Sequence, residues 1–427
     1  MRIAAVDAVQ LLDCKGRPMV EVQVRTESGH IGRGAAPTGQ SVGSHEAFVL
    51  RDGDAAEYHG LGVHRAVRNV VEVIGPALIG KDVTDQHGID RLMIDMDGTS
   101  AKSDLGGNAI YSTSIAVLRA ASAVRGVLLY EHLSDTPVTA LPVPAFNMVN
   151  GGRYGRVVQP FNEFLVVPAG ADSIEQAVHI GLAVFDELAD VLGTHLGHPP
   201  QTGRSYGYVA PSADPSVVLD LLQRAVDASG YTDQVVYALD CASSEMYDPA
   251  TDTYLLHGAR VDRRELITFV KQLTDDFPIL FVEDLLDEND WGGHTAAVAE
   301  LDNTVVLGDD LIVTNRNRLE RAYAEHAVDG FILKPNQVGT ITEALATYDY
   351  AVEHDLLAIP SGRSGGVVDD IVMDLSIALH APFQKNGAPR SGERIEKLNF
   401  LMRAAAHLGV HELADLTAYD HHVALRR

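Results

Sequence analysis

The sequence predicts an α/β protein, a (β/α)8 barrel preceded by an α+β capping domain, and two observations carry that expectation. From Asp240 to Lys334, four apolar runs of β type end on a charged residue: VVYALD at Asp240, PILFVED at Glu283, TVVLGDD at Asp309 and GFILK at Lys334. Strands read as continuous apolar runs when both faces are buried, as in a parallel sheet wrapped by helices. Helix-like segments such as RRELITFVKQLTDDF and NRNRLERAYAEHAV fill the gaps, as successive βα units require. The first 135 residues follow a different pattern, strands first and helices after.

In chain order, IAAVDAVQLLD, MVEVQVRTESG and HIGRGAAP alternate like strands, with turn chemistry at CKGRP and ESGH, so a three-stranded meander is expected. PTGQSVGSHEAFVLRDGD reads as a Gly/Ser loop. HRAVRNVVEVIGPALIG and NAIYSTSIAVLRAASAVRG place apolar residues at helical spacing. The three prolines of DTPVTALPVPAF mark a boundary, giving a cap over 1–135 and a barrel over 140–427.

Composition narrows the function. With 427 residues and 46% hydrophobic content, the chain can build a large core. A net charge of −26 argues against nucleic acid or an anionic membrane as partner, so a small anionic substrate must be drawn by local cations or metal. Two distant cysteines, Cys14 and Cys241, fit a reducing cytoplasm, and neither a signal segment nor a membrane-length apolar run is found.

If strand C-terminal ends converge, as in a barrel, Asp240, Glu283 and Asp309 offer hard oxygen ligands for a divalent cation. Lys334 is then a candidate base beside it. A single acid at a strand end is commonly a helix cap, whereas three in succession point to a metal site.

These residues belong to a longer set of motifs. LLDCKGRPMVEV, SHEAFVLRDGD, PVPAFNMVNGG, NEFLVVP, ALDCASSEMY, FVEDLLDENDW, LGDDLIVTN, ILKPNQVGT, GRSGG and QKNGAPRSGER resemble, in order, the motifs of the enolase family. The resemblance implies an enolase-type modified TIM barrel whose second strand and first helix run antiparallel, and a homodimer or octamer. It implies Asp240, Glu283 and Asp309 as ligands of a first Mg2+. A second Mg2+ would be held with the help of the substrate and Ser41. Lys334 would remove the proton α to a carboxylate, Lys385 would bind that carboxylate, and Arg363 with Ser364 would grip a phosphoryl group. Glu163 would be an acid near the reacting carbon. The chemistry is coherent, because metal and lysine cations offset the charge that α-proton removal creates. Neighbouring cations are expected to lower the pKa of Lys334.

Three positions depart from the family. Its GDEGGFAP corresponds to GRSYGYVAP, which puts its glutamate on Ser205 or Tyr206, and residues 196–212 hold no Asp or Glu. Its NGGSHAGN becomes NGGRYGRV, placing Tyr154 where a histidine stands, and its SHRSGE becomes SGRSGG, placing Gly362 at another. Arg153, Arg156 and Arg204 add charge on these loops, while Tyr154, Tyr206 and Tyr208 add stacking surfaces. Gly362 is expected to open volume beside Arg363. The proton-abstraction half is thus kept and the hydroxide-departure half rebuilt, a profile similar to carboxyphosphonoenolpyruvate synthases of phosphonate-antibiotic pathways. The alternatives are an atypical phosphopyruvate hydratase and a non-catalytic enolase-fold binding protein.

Overall fold

The computed structural model describes residues 1–39, 43–152 and 159–419. The chain opens with the expected antiparallel meander, β1 (Ile3–Leu12), β2 (Pro18–Thr26) and β3 (Ile31–Ala35). In β2, Val20, Val22 and Val24 are fully buried while Arg25 is exposed, the period-two signature of a sheet with one wet face. Two longer helices follow, α1 (Gln86–Asp97) and α2 (Gly107–Arg125).

Helix α2 is built from Ala, Ser, Thr and Ile and is buried on almost every side. Such small residues let it lie directly on the meander. A Cβ at Gly34 would sit 2.1 Å from the Ser112 carbonyl and 2.6 Å from the Ala116 amide, both backbone atoms that cannot swing aside. Gly34→Ala is therefore expected to destabilise the protein by about 3 kcal/mol, read as a lower denaturant midpoint at unchanged slope.

The barrel strands are β4 (Val143–Asn150), β5 (Glu163–Val167), β6 (Val236–Asp240), β7 (Ile279–Glu283), β8 (Val305–Gly308), β9 (Gly330–Leu333), β10 (Leu357–Pro360) and β11 (Phe383–Lys385). They pair in the order β10-β9-β8-β7-β6-β5-β4-β11, and a parallel bridge from Ser361 to Lys385 closes the ring. Strand β5 is antiparallel to both neighbours and the other strand pairs around the ring are parallel. Strands β4 and β5 are joined directly, by 12 residues with no intervening barrel helix among the described residues, as an antiparallel neighbour allows.

Inside the ring, Leu165, Ala238, Leu280, Phe281, Leu307, Ile332, Ile359 and Phe383 form a dry core. A second apolar layer joins the strands to the outer helices, among them α3 (Ile174–Leu196) and α4 (Pro215–Ser229). This layering leaves the charged residues that close the barrel strands at their C-terminal ends. Among the described residues, no helix is long and apolar enough to cross a membrane.

Candidate active site

Strand direction explains which side chains meet. β6 and β7 finish on Asp240 and Glu283, which are direct register partners, and Asp309 and Lys334 follow β8 and β9 by one residue. Because β5 runs backwards, its first residue, Glu163, pairs with Asp240 and reaches the same end. Lys385 arrives as the last residue of β11. One cavity is lined by Asn162, Glu163, Ser205, Asp240, Asp309, Lys334, Gly362, Arg363, Ser364 and Lys385, together with Asp284, Asp310 and Arg394.

The cations and anions interlock. Lys385 Nζ bonds Glu283 Oε2, lies 3.3 Å from Asp240 Oδ2 and 4.0 Å from Glu163 Oε2. Lys334 Nζ bonds Asp309 Oδ2, and Gln337 donates to the other oxygen of Asp309 at 2.8 Å. Glu163 accepts from Asn147 Nδ2 at 2.8 Å. Asp284, adjacent to Glu283, accepts the backbone N–H groups of Asp309 and Asp310 at 2.8 and 2.7 Å, and so fixes the β8 terminus.

Electrostatics follows from crowding. Burial, reinforced by Asp240, pushes Glu283 well above the usual carboxylate range. Burial also pushes Glu163 up, opposed by the Lys385 charge. Lys334 differs from the sequence expectation. Burial works to lower its pKa, but Asp309 and Glu283 outweigh that and hold the ammonium above its ordinary value. The expected lowering by neighbouring cations is overridden by direct contact with a carboxylate.

These residues suit a hard divalent cation. Glu283 is fully buried, yet among the described residues its Oε1 has no hydrogen-bond partner, a costly arrangement that a cation would relieve. One oxygen each of Asp284, Asp309 and Asp310 also lie within 4.8 Å of one another. The acidic doublets Glu283-Asp284 and Asp309-Asp310 were the available signal for the second member of each pair.

Arg363 is buried and forms a two-pronged ion pair with Glu46, Nη1 to Oε2 at 2.8 Å and Nη2 to Oε1 at 3.0 Å. Glu46 comes from the cap, as does Thr38, whose backbone pairs both ways with Gly365 at 2.9 and 3.0 Å. Sequence reasoning missed Glu46, although it lies inside the SHEAFVL motif. It also missed Arg394, which donates to the Asn386 and Arg363 carbonyls at 3.2 Å.

The rebuilt loops differ from expectation in several places. Of the two residues expected at the position of the family's glutamate, Ser205 lines the cavity, while the Tyr206 hydroxyl turns away to the Cys14 carbonyl. Arg204 is exposed and off the cavity wall, since in this tight turn it is the neighbouring Ser205 that takes the cavity side. Tyr208 is buried and stacked on Phe185 at 4.5 Å, packed in the barrel wall instead of offered to a ligand. Gly362 does not open volume. A Cβ there would meet Lys397 Nζ at 2.2 Å, so the lysine takes up the space, and the cavity holds only about 70 Å3. Ser41, Arg153, Tyr154 and Arg156 lie outside the described residues.

Comparison with known proteins agrees with this architecture. The model of the enolase N-terminal domain matches residues 3–133, and that of the enolase C-terminal TIM barrel domain matches residues 138–420. An enolase of Methanopyrus kandleri (strain AV19) is 41% identical over 406 residues, covering 94% of this chain and 95% of its own. Enolase 2 of Pseudomonas syringae pv. syringae (strain B728a) is 40% identical over 412 residues, 96% of each chain. An enolase of Methanococcus aeolicus is 38% identical over 408 residues, 95% of this chain and 96% of its own. The chain belongs to the enolase family of lyases.

Proposed function

We propose that this enzyme removes the proton α to the carboxylate of a phosphoglycerate-type substrate and forms an enolpyruvyl phosphate or phosphonate. Lys334 is the base in this reading, which requires Asp309 to turn from the Lys334 ammonium to the Mg2+ it would hold, and Lys385, itself set among Asp240, Glu283 and Glu163, binds the substrate carboxylate. Asp240, Glu283 and Asp309 would hold Mg2+, which supplies electrophilic stabilisation of the doubly charged enolate. A second, substrate-assisted Mg2+ with Ser41 belongs to the same proposal. So do the phosphoryl grip of Arg363 and Ser364, a cap over 1–135 serving a barrel over 140–427, a homodimer or octamer, and a cytoplasmic setting.

The single observation that carries the finer reading is Ser205. The cavity keeps its lysines and carboxylates, and of the two residues that could stand at the family's glutamate, Ser205 and Tyr206, the one on its wall is a serine. Losing a general acid costs ~10²–10⁴ in rate. We therefore assign the chain to synthesis of a carboxyphosphonoenolpyruvate-type product, in which an added anionic group on the substrate changes the leaving step. What supports this is the altered chemistry of the wall and not extra room.

Ordinary phosphopyruvate hydratase activity is the second reading. Identities near 40% across the whole chain favour it, and so does Glu163, a remaining carboxyl group in the cavity. Proton NMR in D2O with 2-phosphoglycerate and Mg2+ separates the two. Exchange at C2 is expected to outrun enolpyruvate formation by at least ~10²-fold, the scale of the absent acid. Equal rates of exchange and dehydration would overturn the synthase reading and establish the hydratase.

A further inference from the structure

Residues 202–208 form a tight turn whose geometry is unusual for its sequence. Gly203 N–H donates to the Gly207 carbonyl at 2.7 Å, and Tyr206 N–H donates to the Gly203 carbonyl at 3.1 Å. Tyr206 sits in the left-handed region at φ +72°, which costs a side-chain-bearing residue about 1–2 kcal/mol. Glycine at 206 would remove that cost. A strained residue kept in place needs a compensating contact.

The contact lies in the other domain. Tyr206 Oη donates to the Cys14 carbonyl at 2.9 Å, across 192 positions of sequence, in the turn between β1 and β2. That turn is itself tied to the phosphoryl-side loop. Cys14 N–H donates to the Gly366 carbonyl at 3.1 Å, and its Sγ lies 3.7 Å from the Ser364 carbonyl. Burial raises the Tyr206 hydroxyl to about 12, so it stays a donor and is unsuited to deliver a proton. Its neighbour Ser205 is 2% exposed and forms cavity wall.

We propose that Tyr206 is a positioning residue: its hydroxyl clamps the 203–207 turn to the cap and thereby holds Ser205 at the cavity wall. The left-handed backbone turns the phenol toward Cys14 while residue 205 faces the cavity. This proposal rests on the reading of the cavity as the active site, but it does not depend on which substrate is used.

Tyr206→Phe removes only the hydroxyl, and Tyr206→Gly removes the clamp while relieving the backbone. Hydrogen–deuterium exchange by mass spectrometry is expected to show faster uptake in peptides spanning 200–208 in both variants, with the rest of the barrel unchanged. With 2-phosphoglycerate and Mg2+, C2 exchange driven from the Lys334 side should stay within about threefold of wild type. The slow residual formation of enolpyruvyl product, which the Ser205 hydroxyl assists with one hydrogen bond to the leaving group in place of full acid catalysis, should fall about tenfold, at unchanged KM. Thermal stability of Tyr206→Gly should equal or exceed that of wild type. A purely structural tyrosine would instead lower stability and both rates together. Wild-type deuterium uptake at 200–208 in both variants would overturn the proposal, whatever the activity. Absence of C2 exchange in the wild-type enzyme would sink the functional reading alone and leave the uptake test standing.

Discussion

Lys334→Ala is expected to lower C2 exchange with solvent deuterium by at least ~10³-fold, within the range for loss of a positioned base. The residue is singular in the site. It follows β9 directly, so its stem leaves a rigid strand, and its backbone N–H is fixed by Thr314 Oγ1 at 2.8 Å. Its ammonium meets Asp309, whereas Lys385 is engaged by Glu283, Asp240 and Glu163. Two lysines in one cavity with different partners can therefore be told apart. Lys385→Ala should raise KM for the phosphorylated acid far more than Lys334→Ala does, because it removes a ligand for the carboxylate. The Mg2+-induced rise in melting temperature should survive in Lys334→Ala. Undiminished exchange in Lys334→Ala would remove the residue from the reaction and leave Lys385 as the remaining amine.

How much of this site was readable in the chain depends on backbone direction. Asp240, Glu283, Asp309 and Lys334 were legible because each closes an apolar run, and a strand buried on both faces tolerates charge only at its ends. Glu163 opens its run instead. Nothing in NEFLVVP states that β5 runs antiparallel, so only the family resemblance placed it. Loop residues were harder still. Arg204, Ser205 and Tyr206 are consecutive, yet one faces solvent, one the cavity and one the cap. The turn of Tyr206 toward the cap goes with a left-handed φ, a torsion that local composition does not encode. Gly362 misled for a related reason: the occupant of its space, Lys397, comes from a helix beginning 30 residues later. The helical cap was legible in outline, but the close approach of β3 to α2 shows only as two glycines in HIGRGAAP.

The largest effect on metal is expected from Glu283→Gln, and comparison with Asp284→Asn locates the cation. Two adjacent carboxylates are fully or nearly fully buried at this strand end, and only their partners separate their roles. Each oxygen of Asp284 already accepts one backbone N–H group, from Asp309 and from Asp310. Its loss should weaken Mg2+ by the 10–100-fold typical of a group that orients ligands, with some loss of fold stability. Glu283 has one oxygen on Lys385 and one with no hydrogen-bond partner among the described residues, so it has a position to offer a cation. Its replacement should lower Mg2+ affinity by more than ~100-fold, beyond the effect of an orienting group. In wild type, Mg2+ at 100 times its Kd should add about 2.7 kcal/mol of stability, and the melting temperature should rise accordingly. That rise should vanish in Glu283→Gln and persist, at higher Mg2+, in Asp284→Asn. If the order is reversed, the cation sits among Asp284, Asp309 and Asp310, the tight trio on the β8 side. The carboxylate of the substrate would then have to approach from Arg363 instead of Lys385, and the proposed orientation of the α-proton toward Lys334 would fail with it.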